Sequence, residues 1–170
     1  MTRLWSLSRL PLKNSEPSSP ERAYLYALRL LTARDYTVGR LREKLHGKGF
    51  EESDVEAALG RLVAEGWVDD RRFAERFAES ALASGRYYGH RLRQEMRRRG
   101  LPPELVSEVL GRVLSECDEA EKVRAVVERR FNGFSFLTAS DREKRCTVAF
   151  LQRRGFSFSA IMRTLRDVEQ

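Results

Sequence analysis

Residues of this chain recur at a constant offset of 51 positions, and that spacing limits the fold before any other feature is weighed. Tyr36 pairs with Tyr87, Leu41 with Leu92, Gly49 with Gly100, and Leu59-Gly60-Arg61 with Leu110-Gly111-Arg112. At the same offset, and without a gap, Ala23, Ala27, Leu31, Arg40, Arg42 and Val55 align with Ala74, Ala78, Leu82, Arg91, Arg93 and Val106. A fixed period of this length marks stacked supersecondary units, each of which buries its apolar face against a neighbour. A looser third copy follows. Gly155-Phe156 answers Gly100-Leu101 at an offset of 55, which Leu151, Ile161 and Leu165 keep from Met96, Val106 and Leu110. The four additional residues fall in Phe131-Asn132-Gly133-Phe134-Ser135-Phe136, read as a loop before the unit's second helix.

Inside each copy the apolar residues follow the helical period. The first unit opens on Ser19-Pro20-Glu21, a cap, a first-turn proline and an acid, and buries Tyr24, Ala27, Leu28 and Leu31. Its third helix runs from about Ser53 to Ala64 with Val55, Ala58, Leu59, Leu62 and Val63 inward, and the second unit repeats that stripe as Val106, Val109, Leu110, Val113 and Leu114 after Pro102-Pro103-Glu104. In the second unit Asp69-Asp70 starts a helix carrying Phe73, Ala74, Phe77, Ala78 and Ala81, because an N-terminal carboxylate satisfies orphan N–H groups and suits the helix dipole. Gly85 stops that helix, Tyr87-Tyr88-Gly89 makes a corner, and Gly100 ends the next. In the third unit the second helix is expected to open on the capping box Ser140 to Glu143. No strand pattern survives. The expected architecture is all-α, an elongated tandem array of three helix-turn-helix-like repeats of three helices each. Their bounds are 19–66, 67–114 and 115–170, behind a mobile tail over 1–18 whose Trp5 and Leu7 lack any period. Trp67 and Tyr87 are expected in the core, and Tyr88 as a plug at the helix corner.

Charge supplies the first functional constraint. The 170 residues carry a formal net charge of +7, which favours an anionic partner: nucleic acid, a nucleoprotein surface or an acidic membrane. The second helix of every unit is basic. Arg40, Arg42, Lys44 and Lys48 stand in the first; Arg86, Arg91, Arg93, Arg97, Arg98 and Arg99 in the second, opposed in that span by Glu95 alone; Arg142, Lys144, Arg145, Arg153 and Arg154 in the third. Third helices and their approaches are acidic, as at Glu51, Glu52, Asp54 and Glu56. Helix faces with internal charge pairs account for such a pattern in the first unit as well as a binding surface does. Arg97-Arg98-Arg99, expected to have no acid in reach, favours binding, since adjacent guanidiniums repel one another and prefer planar phosphate or carboxylate partners.

Other classes fall away. Cys117 and Cys146 form no CxxC and lie far from His46 and His90, so no metal set or disulfide framework is expected, and two reduced thiols fit a cytoplasmic protein. No apolar run approaches the roughly 20 residues of a membrane span, and no signal-type segment opens the chain. Walker, Rossmann, nucleophile-elbow and zincin motifs are missing, and Asp69-Asp70 is explained by its helix start. A binding protein without cofactor or catalysis is expected.

Trp67-Val68-Asp69-Asp70-Arg71-Arg72-Phe73-Ala74 resembles the aromatic–aliphatic–Asp–Asp–x–Arg–Phe signature of the RecX family of bacterial regulatory proteins. Gly85, Tyr87, Gly89 and the run Arg91-Leu92-Arg93-Gln94-Glu95-Met96 are similar to the family's next segment, as is Phe150-Leu151-Gln152-Arg153-Arg154-Gly155-Phe156 further on. An additional residue around Arg86–Gly89 and the unpatterned tail depart from it. The resemblance implies three tandem three-helix units and binding to the RecA recombinase along the groove of its filament on single-stranded DNA, with inhibition of RecA ATP hydrolysis, strand exchange and co-protease activity. On that reading Arg86, Arg91, Arg93, Arg97, Arg98, Arg99, Lys144, Arg145, Arg153 and Arg154 face filament DNA or acidic RecA surface. Nothing in the chain demands a dimer, and a monomer is expected. The helix–Gly–helix pattern also suits a regulator reading duplex DNA, although Glu51-Glu52 and Glu104 stand where base-reading residues would lie. A structural adaptor whose charge serves solubility is the third reading.

Overall fold

The computed structural model describes residues 18–167, in which nine helices and no strand are found. They are α1 (Pro20–Leu31), α2 (Val38–His46), α3 (Glu52–Ala64), α4 (Asp70–Ala83), α5 (Gly89–Arg98), α6 (Pro103–Ser115), α7 (Glu119–Arg130), α8 (Asp141–Arg154) and α9 (Phe158–Asp167). Of the expected tail, Trp5 and Leu7 lie outside the described residues. Ser18, also assigned to it, accepts from the Glu51 N–H at 3.1 Å and donates to Asp54, at the start of α3.

Local chemistry sets the helix ends. Ser19, Thr37, Asp118 and Ser140 each accept a backbone N–H at a helix start, and Ser140 and Glu143 close the expected capping box. Asp69 accepts from the Arg72 N–H at 2.9 Å and so serves as the cap. Asp70 does something else: its carboxylate turns back to accept the Val38 N–H at 2.9 Å, at the first turn of α2. Burial raises the Asp70 pKa, and the neighbouring Asp69 adds to the rise.

The chain divides into two compact units: one holds residues up to Phe73 together with Arg99–Leu101, the other Ala74–Arg98 and the chain from Pro102 onward. In the first, α3 packs on α1 and α2, around Ala23, Ala27, Leu41, Leu45, Val55 and Leu62, all fully buried. In the second, α6 packs on α5, and α9 on α7 and α8, with Leu92, Met96, Val106, Val123, Leu151 and Ile161 sealed from solvent.

Within each unit a middle helix begins against a glycine. Thr37 caps α2 and donates its hydroxyl to the Arg99 carbonyl, while a Cβ on Gly39 would lie 2.5 Å from the Gly100 carbonyl oxygen. In the other unit the Tyr88 N–H donates to the Arg154 carbonyl at 2.8 Å, and a Cβ on Gly155 would fall 2.2 Å from the Tyr88 carbonyl oxygen. Gly100 and Gly155 have φ of 77° and 101°, the left-handed cap region.

Several expected core positions differ. Trp67 is 42% exposed, and its indole N–H donates to Glu65 at 3.0 Å; the chain turns at Gly66, and Val68 takes the inward place. Val63 is 49% exposed, Leu31, Val113 and Leu114 are half-buried, and of the two corner tyrosines it is Tyr88 that is buried. Tyr88 stacks on Phe156 with ring centres 4.9 Å apart, and burial, with Glu119 nearby, pushes its hydroxyl up to about 12. Tyr87 lies half-buried beside Phe77 at 6.4 Å.

Candidate basic interface

The second helix of the first unit keeps much of its charge internal. Arg42 makes a two-pronged pair with Glu56 at 2.7 and 3.1 Å, which raises the arginine and lowers the carboxyl from their usual ranges. Arg40 pairs with Glu43 one turn on. Lys44 and Lys48 are exposed.

In α5, Leu92 and Met96 anchor the inner face, and Glu95, one residue before Met96, is only 4% exposed. Its Oε1 accepts from Arg91 at 2.9 Å and from Arg98 at 3.3 Å, spacings of four and three residues that place all three on adjoining turns. The expectation that Arg97-Arg98-Arg99 has no acid in reach is therefore corrected for Arg98, which is held by the buried Glu95. Arg91 also donates to Gln94 at 3.2 Å and lies 5.9 Å from the Tyr87 ring centre. Arg93 donates to Ser107 on α6 at 2.9 Å. The Arg99 carbonyl accepts from Thr37. Arg97 is exposed.

Along α8, Lys144 sits 5.1 Å from the Phe136 ring centre, and Arg145 and Arg153 are exposed. Arg154 is half-buried: its guanidinium lies 4.3 Å from the Phe150 ring centre and donates to the Gly85 carbonyl at 2.5 Å. Desolvation lowers its pKa, and Arg129, Arg130 and Arg86 lower it further.

The structure thus splits the expected set. Arg154 reaches the Gly85 carbonyl, one residue before Arg86, and where the end of α8 abuts the start of α5 a Cβ on Gly155 would lie 2.7 Å from the Arg91 Cβ. Arg97 and Arg98 stand at the far end of α5, about 10 Å along its axis at 1.5 Å per residue, and Lys144 and Arg145 about 14 Å from Arg154 along α8. Two participants were missed. Arg129 and Arg130 end α7, and Arg129 donates to the Ser84 carbonyl, beside the Gly85 carbonyl that Arg154 holds. Their signal in the sequence is an adjacent basic pair just before the inserted loop.

Among the described residues no cluster of three His, Cys, Asp or Glu could hold a metal ion, and no helix is long and apolar enough to cross a membrane. Among the described residues the arrangement offers cations in quantity, several of them meeting no carboxylate.

Comparison with known proteins agrees with the first two units of the repeat pattern. The model of the first three-helix domain of RecX matches residues 23–62, and that of the second matches residues 69–110. A regulatory protein RecX of Trichlorobacter lovleyi is 46% identical over 139 residues, spanning 82% of this chain and 90% of that protein. Another, from Syntrophotalea carbinolica, is 38% identical over 140 residues, 82% of this chain and 91% of its own length. The crystal structure of RecX from Lactobacillus salivarius shares the fold with a TM-score of 0.71 at 18% identity, covering 88% of this chain and 96% of that one. With its helical order, its paired family domains and relatives of this closeness along most of its length, the chain belongs to the RecX family of regulatory proteins.

Proposed function

We propose that this protein binds the RecA filament assembled on single-stranded DNA and restrains its ATP hydrolysis, strand exchange and co-protease activity, modulating recombinational repair and the SOS response. It acts as a cytoplasmic monomer and catalyses no reaction itself. The observation that carries this reading is membership in a family of regulators joined to exposed guanidiniums, at Arg97, Arg145 and Arg153, that no carboxylate among the described residues neutralises. Such charges suit a polyanionic filament. Three repeats over 19–66, 67–114 and 115–170 provide successive contacts, and linked weak contacts gain effective concentration, so modest affinity in each suffices.

The test is single-stranded-DNA-dependent ATP hydrolysis by the cognate RecA, preassembled on DNA, during titration with this protein. Inhibition well below one copy per RecA is expected, and an unrelated basic protein at the same charge should leave the rate intact. An unchanged rate at a molar excess would overturn the proposal. A single footprint on genomic duplex DNA would replace it with a sequence-specific repressor.

A further inference from the structure

At the turn between α4 and α5, guanidiniums from three places converge. Arg129, at the end of α7, donates to the Ser84 carbonyl, and Arg154, at the end of α8, donates to the Gly85 carbonyl at 2.5 Å. Arg86 is the next residue of the same turn, and Arg130 follows Arg129. Three helices, α4, α7 and α8, end here, and the partial negative charge of their carbonyl ends accounts for some of this positive charge. It accounts for Arg129 and Arg154, which sit on those carbonyls. Arg86 and Arg130 are exposed, and among the described residues neither meets a carboxylate. The surplus is electrostatically felt at Arg154, whose pKa is lowered first by desolvation and then by Arg129, Arg130 and Arg86 in turn.

We propose that this turn and the end of α7 form a phosphodiester-binding site, in which Arg86 and Arg130 clasp one backbone phosphate of a nucleic-acid strand while Arg129 and Arg154 hold the turn in place from behind. The inference deepens the function proposed above, on which it rests, by naming the ligand group and the residues that take it. A phosphate suits the geometry better than a protein carboxylate does. Two planar forks from one plane saturate a carboxylate, whereas the tetrahedral oxygens of a phosphate accept forks arriving from different elements. Pre-anchoring matters as well: a turn whose two carbonyls are already bonded loses little freedom when Arg86 engages its ligand.

The test is fluorescence anisotropy of a labelled oligothymidylate across a salt series, with the full chain, Arg86→Ala, Arg130→Ala and the double variant. Melting by circular dichroism confirms that these exposed substitutions leave the fold intact. Because both arginines grip the same phosphate, each single variant leaves one guanidinium on it and should lower the slope of log affinity against log salt by well under the roughly 0.7 of one phosphate on a single strand, whereas the double variant should lose about 0.7 and its affinity should fall several-fold. A doubled loss of slope would overturn the shared site, and an unchanged slope would overturn the site altogether. If the slope is unchanged here while substitution of Arg97 and Arg153 reduces it, the filament reading survives and this site fails. If the wild-type chain inhibits RecA without binding the oligonucleotide, and the double variant weakens that inhibition, the ligand is an acidic protein surface and the phosphodiester assignment is wrong.

Discussion

Asp70 and Glu95 are both withdrawn from solvent, and their surroundings treat them oppositely. Glu95 lies between two cations, Arg91 and Arg98, at 2.9 and 3.3 Å. Asp70 has one backbone N–H, from Val38, and an acidic neighbour, so burial outweighs what the hydrogen bond returns and its pKa rises. The sign of the consequence follows. A carboxyl that holds its proton more tightly in the folded chain favours folding most below its ordinary value of 3.8, and that contribution is lost as pH climbs through the raised folded value. Above it, a partly buried charge is a constant cost. Asp70→Asn keeps an oxygen for the Val38 N–H and removes the charge, so its stability relative to wild type should improve between about pH 3 and pH 7. Urea unfolding at both values checks this, and an identical difference at both would show that the burial of Asp70 has no energetic consequence. Neither carboxylate's role was visible beforehand. Asp70 reads as a helix start because its partner, Val38, is distant in sequence. Glu95 was countable as the lone acid among six arginines, and its i−4 and i+3 spacing to Arg91 and Arg98 was present, but its burial beside Met96 depends on packing.

The helices were the more legible level. Caps placed the starts of α1, α4 and α8 and period the run of α3, and the inserted residues between α7 and α8 fall where the change of offset required them, with Phe131 edge-on to Phe150 at 5.2 Å. What period could not supply was how wide each apolar stripe must be. α3 and α6 bury their central turns and leave Val63 exposed and Val113 and Leu114 half-buried, so the buried face narrows toward the end of each helix. Glycines that recur in the repeat divide as well. At Gly155 a Cβ would meet the Tyr88 carbonyl and the Arg91 Cβ on a left-handed backbone, so Gly155→Ala should cost about 3 kcal/mol from clash and strain together. At Gly111, inside α6, an added Cβ meets nothing within 4 Å, and nothing in the structure requires a glycine there. Gly111→Ala should therefore stabilise by about 1 kcal/mol through helix propensity and a stiffer unfolded chain. Urea unfolding of both variants measures the contrast; equal effects would mean that the α8 cap is not the tight joint its geometry indicates.

For the whole molecule the question is which positive charges remain for a partner once internal pairing is complete. Composition offers one answer, a net +7, and helix patterning a second, a basic second helix in every repeat. The structure refines both. Arg42 is bonded to Glu56, Arg98 to Glu95, and Arg154 to the Gly85 carbonyl, so substituting these would disturb the fold along with any surface they present. A triple alanine variant at Arg97, Arg98 and Arg99 would confound the two effects, because Arg98 holds a buried acid. Arg97, Arg145 and Arg153 are exposed and, among the described residues, meet no carboxylate. Replacing all three by alanine should leave the melting temperature within a few degrees of wild type, since exposed substitutions of this kind change stability by about 0.5 kcal/mol or less each. It should weaken binding to RecA filaments and, if each arginine meets one phosphate, reduce the salt slope by about 2. Arg93→Ala, which removes the bond to Ser107, serves as the contrasting case, in which a loss of helix packing accompanies any loss of binding. Unchanged affinity and slope in the triple variant would mean that these guanidiniums are solvated helix faces, and that the family's partner is met through some other surface of the repeats.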